Sequence, residues 1–186
     1  MERARRLIVQ PAPEWAVIAG EFTTAGPIYW RYVIPMAAIG PVAATLGTVI
    51  SGERSSLGGT YGLSAMDAVT GGVLEYALSL LAVYGLAALI ERLAPMFGGQ
   101  ANRVQAVKVA AYGTTPYWLG GVVALFPKLA LIGMAFGLYS VRLFFSGLGP
   151  VMKAPREKIA AYTLLVTIGA MLIELLISAV VRIIVF

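Results

Sequence analysis

Val69–Ile90 reads VTGGVLEYALSLLAVYGLAALI, an apolar stretch with a single charge, Glu75. A helix rises 1.5 Å per residue, so about 20 such residues cross the ~30 Å hydrocarbon core of a bilayer. Further apolar runs of similar length stand at Tyr32–Ile50, Val104–Phe126, Leu129–Leu148 and Ile159–Val181. Hydrophobic residues make up 59% of the chain and charged residues 12%, and the mean hydropathy is +0.83. Soluble domains carry about a quarter charged residues, and this chain lacks the polar surface to cover five apolar helices. The sequence predicts an all-α polytopic membrane protein: a short N-terminal segment, 1–30, followed by a domain of five transmembrane helices, 31–186. The first apolar run starts too late and runs too long for a cleaved signal peptide.

Cysteine and histidine are both absent. Disulfides, thiolate metal sites, cysteine nucleophiles, histidine-ligated haem and histidine-dependent triads are thereby excluded. No catalytic set, metal site or cofactor is expected. The net charge of +5 comes from residues that flank the runs rather than from a nucleic-acid patch. Counted on alternate sides, ten Lys/Arg lie with the N-terminus (Arg3, Arg5, Arg6, Arg31, Arg92, Arg103, Lys108, Lys153, Arg156, Lys158). Three, Arg54, Lys128 and Arg182, lie opposite. Such a bias places the N-terminus in the cytoplasm and, with five spans, the C-terminus outside. The bilayer is the first partner, through basic contacts with its headgroups.

Pro13–Thr24 reads as an amphipathic helix lying on the membrane. Pro13 sits at a helix start, Glu14 falls in the first turn, and Trp15, Ile18 and Phe22 recur on one face as interfacial anchors. Pro35 and Pro41 bend the first span. Ser51–Asp67 reads as the one sizeable outer loop, and Pro127–Lys128 as a tight turn making a hairpin of the third and fourth spans. Gly133 and Gly137 give a small-xxx-small face for another membrane protein or a second copy.

Four charges are read as lying well within spans, Glu75, Glu91, Arg142 and Glu174, with Lys108 read as flanking one. Charge in hydrocarbon is costly, so each calls for a partner or a role. Counted from the nearest turns, Glu91 and Arg142 fall in the inner half, and a buried ion pair between them is the leading expectation. Glu75 and Glu174 fall at one depth in the outer half, each followed four residues later by a serine, Ser79 and Ser178. Two carboxylates facing each other repel when both are charged, so they share a proton or hold a cation. The alternative is that they face separate neighbours.

The third run carries Ala111-Tyr112-Gly113-Thr114-Thr115-Pro116-Tyr117-Trp118 near its centre. Pro116 frees the carbonyl of Tyr112, and Thr114 and Thr115 supply hydroxyls to satisfy freed carbonyls. This is a candidate hinge, and equally an ordinary bend.

With Gln10-Pro11-Ala12-Pro13-Glu14-Trp15, Tyr32-Val33-Ile34-Pro35, Phe97-Gly98-Gly99, Gly137-Leu138-Tyr139 and Gly147-Leu148-Gly149-Pro150, that segment resembles the bacterial branch of the Yip family over nearly the whole chain. The resemblance implies five spans with a cytoplasmic N-terminus. Eukaryotic relatives are associated with Rab GTPases and vesicle traffic through a longer N-terminal segment than the roughly 30 residues present here. Two functions compete. One is a membrane-embedded binding or organising protein that recognises lipid or a membrane-protein partner without chemistry. The other is a proton- or cation-coupled transporter or channel using Glu75, Glu174 and Arg142. An enzyme is not expected.

Overall fold

The computed structural model describes residues 2–56, 59–126 and 129–185. Two short helices, α1 (Glu2–Val9) and α2 (Pro11–Gly20), open the chain. They are followed by α3 (Ala25–Ser51), α4 (Ala65–Leu93, extended by a 3-10 turn to Phe97), α5 (Arg103–Gly113), α6 (Thr115–Gly120), α7 (Ala130–Met152) and α8 (Arg156–Val185). Among the described residues four helices are long and apolar enough to cross a membrane: Ala25–Ser51, Ala65–Phe97, Ile132–Met152 and Arg156–Val185. The remaining apolar run, Val104–Phe126, is a segmented helix made of α5, α6 and a 3-10 stretch over Gly121–Leu125. The protein is a polytopic, all-helical membrane protein. Among the described residues its one departure is a short antiparallel strand pair, the hairpin of β1 (Glu53–Ser56) with β2 (Gly59–Gly62), inside the stretch read as loop. The expected tight turn at Pro127 and Lys128 lies outside the described residues.

Local chemistry sets the boundaries. Ser64 caps α4 by accepting the Asp67 N–H at 3.1 Å, and Asn102 caps α5 by accepting that of Gln105 at 3.1 Å. Gly52 and Gly98 stop α3 and the α4 extension with φ of 71° and 72°, a left-handed turn that a Cβ disfavours. Pro35 lacks the N–H that would bond to Arg31, and one turn before it α3 widens to a π-turn over Tyr29–Val33. In the third run Pro116 leaves the Tyr112 carbonyl free. The Thr115 hydroxyl donates to that carbonyl at 2.7 Å, and the Thr114 hydroxyl donates to Ala110 O at 2.7 Å.

The tightest core sits at the end that holds α1 and α2. Leu7, Trp15, Ile18, Ile90, Val107, Leu148, Met152 and Tyr162 are fully buried there. Two turns also meet there, with Gln100 N–H donating to Met152 O at 2.8 Å. Phe97 stacks on Tyr162 at 5.0 Å, and the Tyr162 hydroxyl donates to Ile90 O. Towards the hairpin, by contrast, α8 shows its large residues outward, with Leu172, Leu176 and Ile183 exposed as lipid contact demands.

The structure corrects the surface-lying reading of Pro13–Thr24. Trp15 and Ile18 are wholly buried, and only Phe22 is exposed. Trp15 lies against Gly147 of α7, where an added Cβ would stand 2.7 Å from the indole ring. A glycine on the facing helix lets α2 sink into the bundle, a relation that spacing along α2 alone does not reveal.

Candidate functional site

Glu75 of α4 and Glu174 of α8 line one cavity of about 250 Å³. Ser79 and Tyr117 add polar groups, Trp118 and Phe126 aromatic walls, and Gly40, Gly120 and Gly121 complete the lining. The Tyr117 side chain and both carboxylates thus line the same space. Tyr117 is carried here by the break in the third run: α6 restarts after Thr114, and its Tyr117 N–H donates to Ser140 Oγ of α7 at 3.1 Å. Gly121 meets Gly40 so closely that a Cβ would lie 2.6 Å from the Gly40 Cα. Such an arrangement can hold a proton between carboxyls, or a small cation among carboxylate and hydroxyl oxygens. Among the described residues no group of three or more Asp, Glu, His or Cys gathers as a metal site.

A second polar cluster joins the N-terminal helices to the same break. Arg3 donates to both carboxylate oxygens of Glu21, at 2.6 and 2.7 Å, and to the Tyr112 hydroxyl at 3.1 Å. Its Nε is 3.2 Å from buried Glu14, and its guanidinium lies 5.3 Å from the Tyr112 ring centre. The paired hydrogen bonds from Arg3 hold the Glu21 carboxyl below the usual carboxylate range, and they raise Arg3 further above its ordinary value. Lys108, almost fully buried, donates to Ile18 O at 2.8 Å and Glu21 O at 2.7 Å, satisfying the open carbonyls at the end of α2. Tyr112 meets the Tyr32 ring edge-on at 4.8 Å. Because the Thr115 hydroxyl is already donated to Tyr112 O, the Tyr32 hydroxyl is the donor in its 2.6 Å contact with Thr115. Tyr32 in turn lies 6.5 Å from Trp118 of the cavity wall. Tyr112, Thr115 and Pro116 therefore stand between the docked N-terminus and the carboxylate cavity.

The expected Arg142–Glu91 pair is not formed. Glu91 pairs with Arg103 at 3.1 Å, across the turn that joins α4 to α5. Arg142 is exposed and lies over the Tyr139 ring at 5.4 Å. Depth counted along single helices cannot say which way a side chain points, and here the two residues leave their helices in different directions. Gly133 lines the cavity, and an added Cβ there would lie 3.9 Å from Gly120 O. Gly137 has open space around it. Of the two serines, Ser79 lines the cavity. Sequence reasoning missed Arg3, Glu21 and Lys108 as a unit. One signal was available, since Lys108 is the only lysine inside the apolar run Val104–Phe126.

A model of the Yip1 domain matches residues 5–178. The Escherichia coli inner membrane protein YohC, in the sequences of two strains, is 27% identical over 176 residues, covering 92% of this chain and 90% of its own. No solved structure matches the chain. The matched span takes in the docked N-terminus from Arg5, the broken third run and both carboxylates of the cavity, and on that evidence the chain belongs to the Yip1 domain family of membrane proteins.

Proposed function

We propose that this protein is a membrane-embedded binding protein without chemistry of its own, and that what it binds, in the cavity between α4, α6 and α8, is a proton or a small cation. The observation that carries the reading is that Glu75 and Glu174, on different helices, line one small cavity. Two like charges around such a space repel, and a shared proton or a bound cation relieves the repulsion. Support also comes from the break at Thr114–Pro116, since interrupted helices next to buried charge recur in membrane carriers. The proposed orientation is the one given by the Lys/Arg bias: N-terminus in the cytoplasm, C-terminus outside.

Trp118 reports the test because it lines the cavity. With Trp15 and Trp30 replaced by Phe, its fluorescence in vesicles is expected to change on titration with protons between mildly acidic and neutral pH, or with sodium. Glu75→Gln or Glu174→Gln should flatten the response, and the double change should add little, because the two carboxyls titrate as a unit. A flat response in the parent protein to both protons and sodium would sink the proposal. The organising reading retains one specific support: Phe22 is fully exposed at the link between α2 and α3, free to meet lipid or a partner.

A further inference from the structure

We infer that the bilayer covers only part of the bundle, from the hairpin end to a girdle at Trp30, Arg31, Tyr84 and Arg142, and that Arg31, Arg142 and Arg5 bind phospholipid phosphates at that level. The argument starts from length. The α4 helix with its extension has 33 residues and α8 has 30, which is about 45–50 Å of helix against ~30 Å of hydrocarbon. Even with tilt, one end stands clear of the membrane.

That end is the one covered by α1 and α2. It carries the charges Glu91, Arg92, Arg103, Arg156, Glu157 and Lys158, and its interior holds a buried lysine and glutamate, as a water-side core does. Counting from the hairpin end sets the boundary twice. From Ser51 back to Arg31 along α3 is about 30 Å, and from Ala65 to Tyr84 along α4 is about 29 Å. The two counts meet in space, because Tyr29 stacks on Tyr84 with ring centres 4.3 Å apart. Trp30 and Tyr84 are exposed at 76% and 46%, and exposed amphipathic rings belong at the headgroup level.

Arg142 fits the same plane. Phe136 of α7 packs against Gly120, next to the contact of Gly121 with Gly40. From that level Arg142 is about 9 Å nearer the girdle along α7, and an exposed arginine stem reaches several ångströms further. In mid-hydrocarbon an exposed arginine would be costly; at the phosphate level it meets its counter-charge, with the Tyr139 ring beneath. The Tyr139 hydroxyl also donates to Ile8 O at 2.7 Å, so α1 runs past at this level with Arg5 exposed. One consequence concerns the cavity. Glu75 is about 15 Å from Ala65, and Glu174 about 16 Å from Val185, so the carboxylates lie near the middle of the hydrocarbon rather than in its outer half.

The chain has no cysteine, so single-cysteine variants with spin labels read depth directly. In vesicles of phosphatidylglycerol and phosphatidylethanolamine, a label at Leu81 is expected to show high oxygen and low nickel-chelate accessibility. Labels at Arg92 and Lys158 should show the reverse, with one at Tyr84 between. Hydrocarbon-like values at Arg92 and Lys158 would overturn the placement. Native mass spectrometry from the same vesicles tests the phosphate contacts. Arg142→Gln and Arg31→Gln should each lower the preference for retained phosphatidylglycerol by about fivefold, while Arg142→Lys keeps most of it. Unchanged retention in both Gln variants, with Trp15 still buried by its fluorescence, would overturn the lipid assignment whatever the depth labels say.

Discussion

Arg3 ties three other side chains together. It satisfies Glu21 with two hydrogen bonds, stands 3.2 Å from Glu14, and touches Tyr112 through both its hydroxyl and its ring. Glu14 is 5% exposed, so removing its cation strands a charge. Arg3→Met is expected to cost about 3 kcal/mol, the low end for a broken buried pair because Arg3 itself is partly exposed. Adding Glu14→Gln should recover part of the loss, and denaturant unfolding followed by Trp15 fluorescence checks both. Additive effects would show that the pair does not interact. The same contact sets a pH dependence. The folded Glu21 carboxyl is held below its unfolded value by Arg3. Its contribution to stability is therefore present above the usual carboxylate range and is lost as pH falls through the lowered folded value. The parent protein should lose stability on the acid side of neutrality more steeply than the Arg3→Met variant, measured as the denaturation midpoint against pH.

At the scale of elements, two close approaches hold the assembly together, and they differ in how they can yield. A Cβ at Gly147 would stand 2.7 Å from the Trp15 indole, whereas one at Gly121 would stand 2.6 Å from the backbone of Gly40. An indole on a short peripheral helix can shift; the backbone of a spanning helix cannot. Gly147→Ala is expected to cost about 1–3 kcal/mol and to loosen α2, read as greater quenching of Trp15. Gly121→Ala should be the more severe change and should spread the cavity by separating α3 from the third run, read as lower thermal stability in detergent. The break at Pro116 is stitched by the Tyr32–Thr115–Tyr112 chain of hydrogen bonds. Tyr32→Phe leaves the Thr115 hydroxyl with its own acceptor, so a loss of only about 1 kcal/mol is expected. A much larger loss would mean that Tyr32 holds the break in place rather than fitting against it.

For the whole molecule, the helix ends sort onto two sides. The α1–α2 end carries the turns around Gly98 and Lys153, and the opposite end carries the hairpin and the last turn of α8. Cysteines introduced at Ala101 and Ser64, both exposed, should therefore label from opposite faces of the membrane, with Ala101 reached from the cytoplasm. Labelling of both from one face would overturn the proposed orientation. Membrane depth is hard to read along single runs. Hydropathy marks where apolar residues start and stop, but α4 and α8 stay apolar well past the length a bilayer needs. At the α1–α2 end Ile90 of α4 and Tyr162 of α8 are buried in protein rather than lipid. Protein core and hydrocarbon are equally apolar, so no hydropathy pattern separates them.

The sequence by itself determined the membrane class and the family. It also showed that Pro116 breaks the third run, with threonines at hand to satisfy the freed carbonyls, because these follow from composition, proline chemistry and local spacing. Glu75 and Glu174 were legible as carboxylates inside apolar runs, each followed four residues later by a serine. Only the tertiary structure decided that the two carboxylates share a cavity with Tyr117, that Glu91 turns to Arg103 rather than Arg142, and that Trp15 faces the protein instead of the lipid. Those outcomes depend on helix rotation and on which glycine faces which ring. Both are set by packing between elements far apart in the chain, and nothing within one helix encodes them.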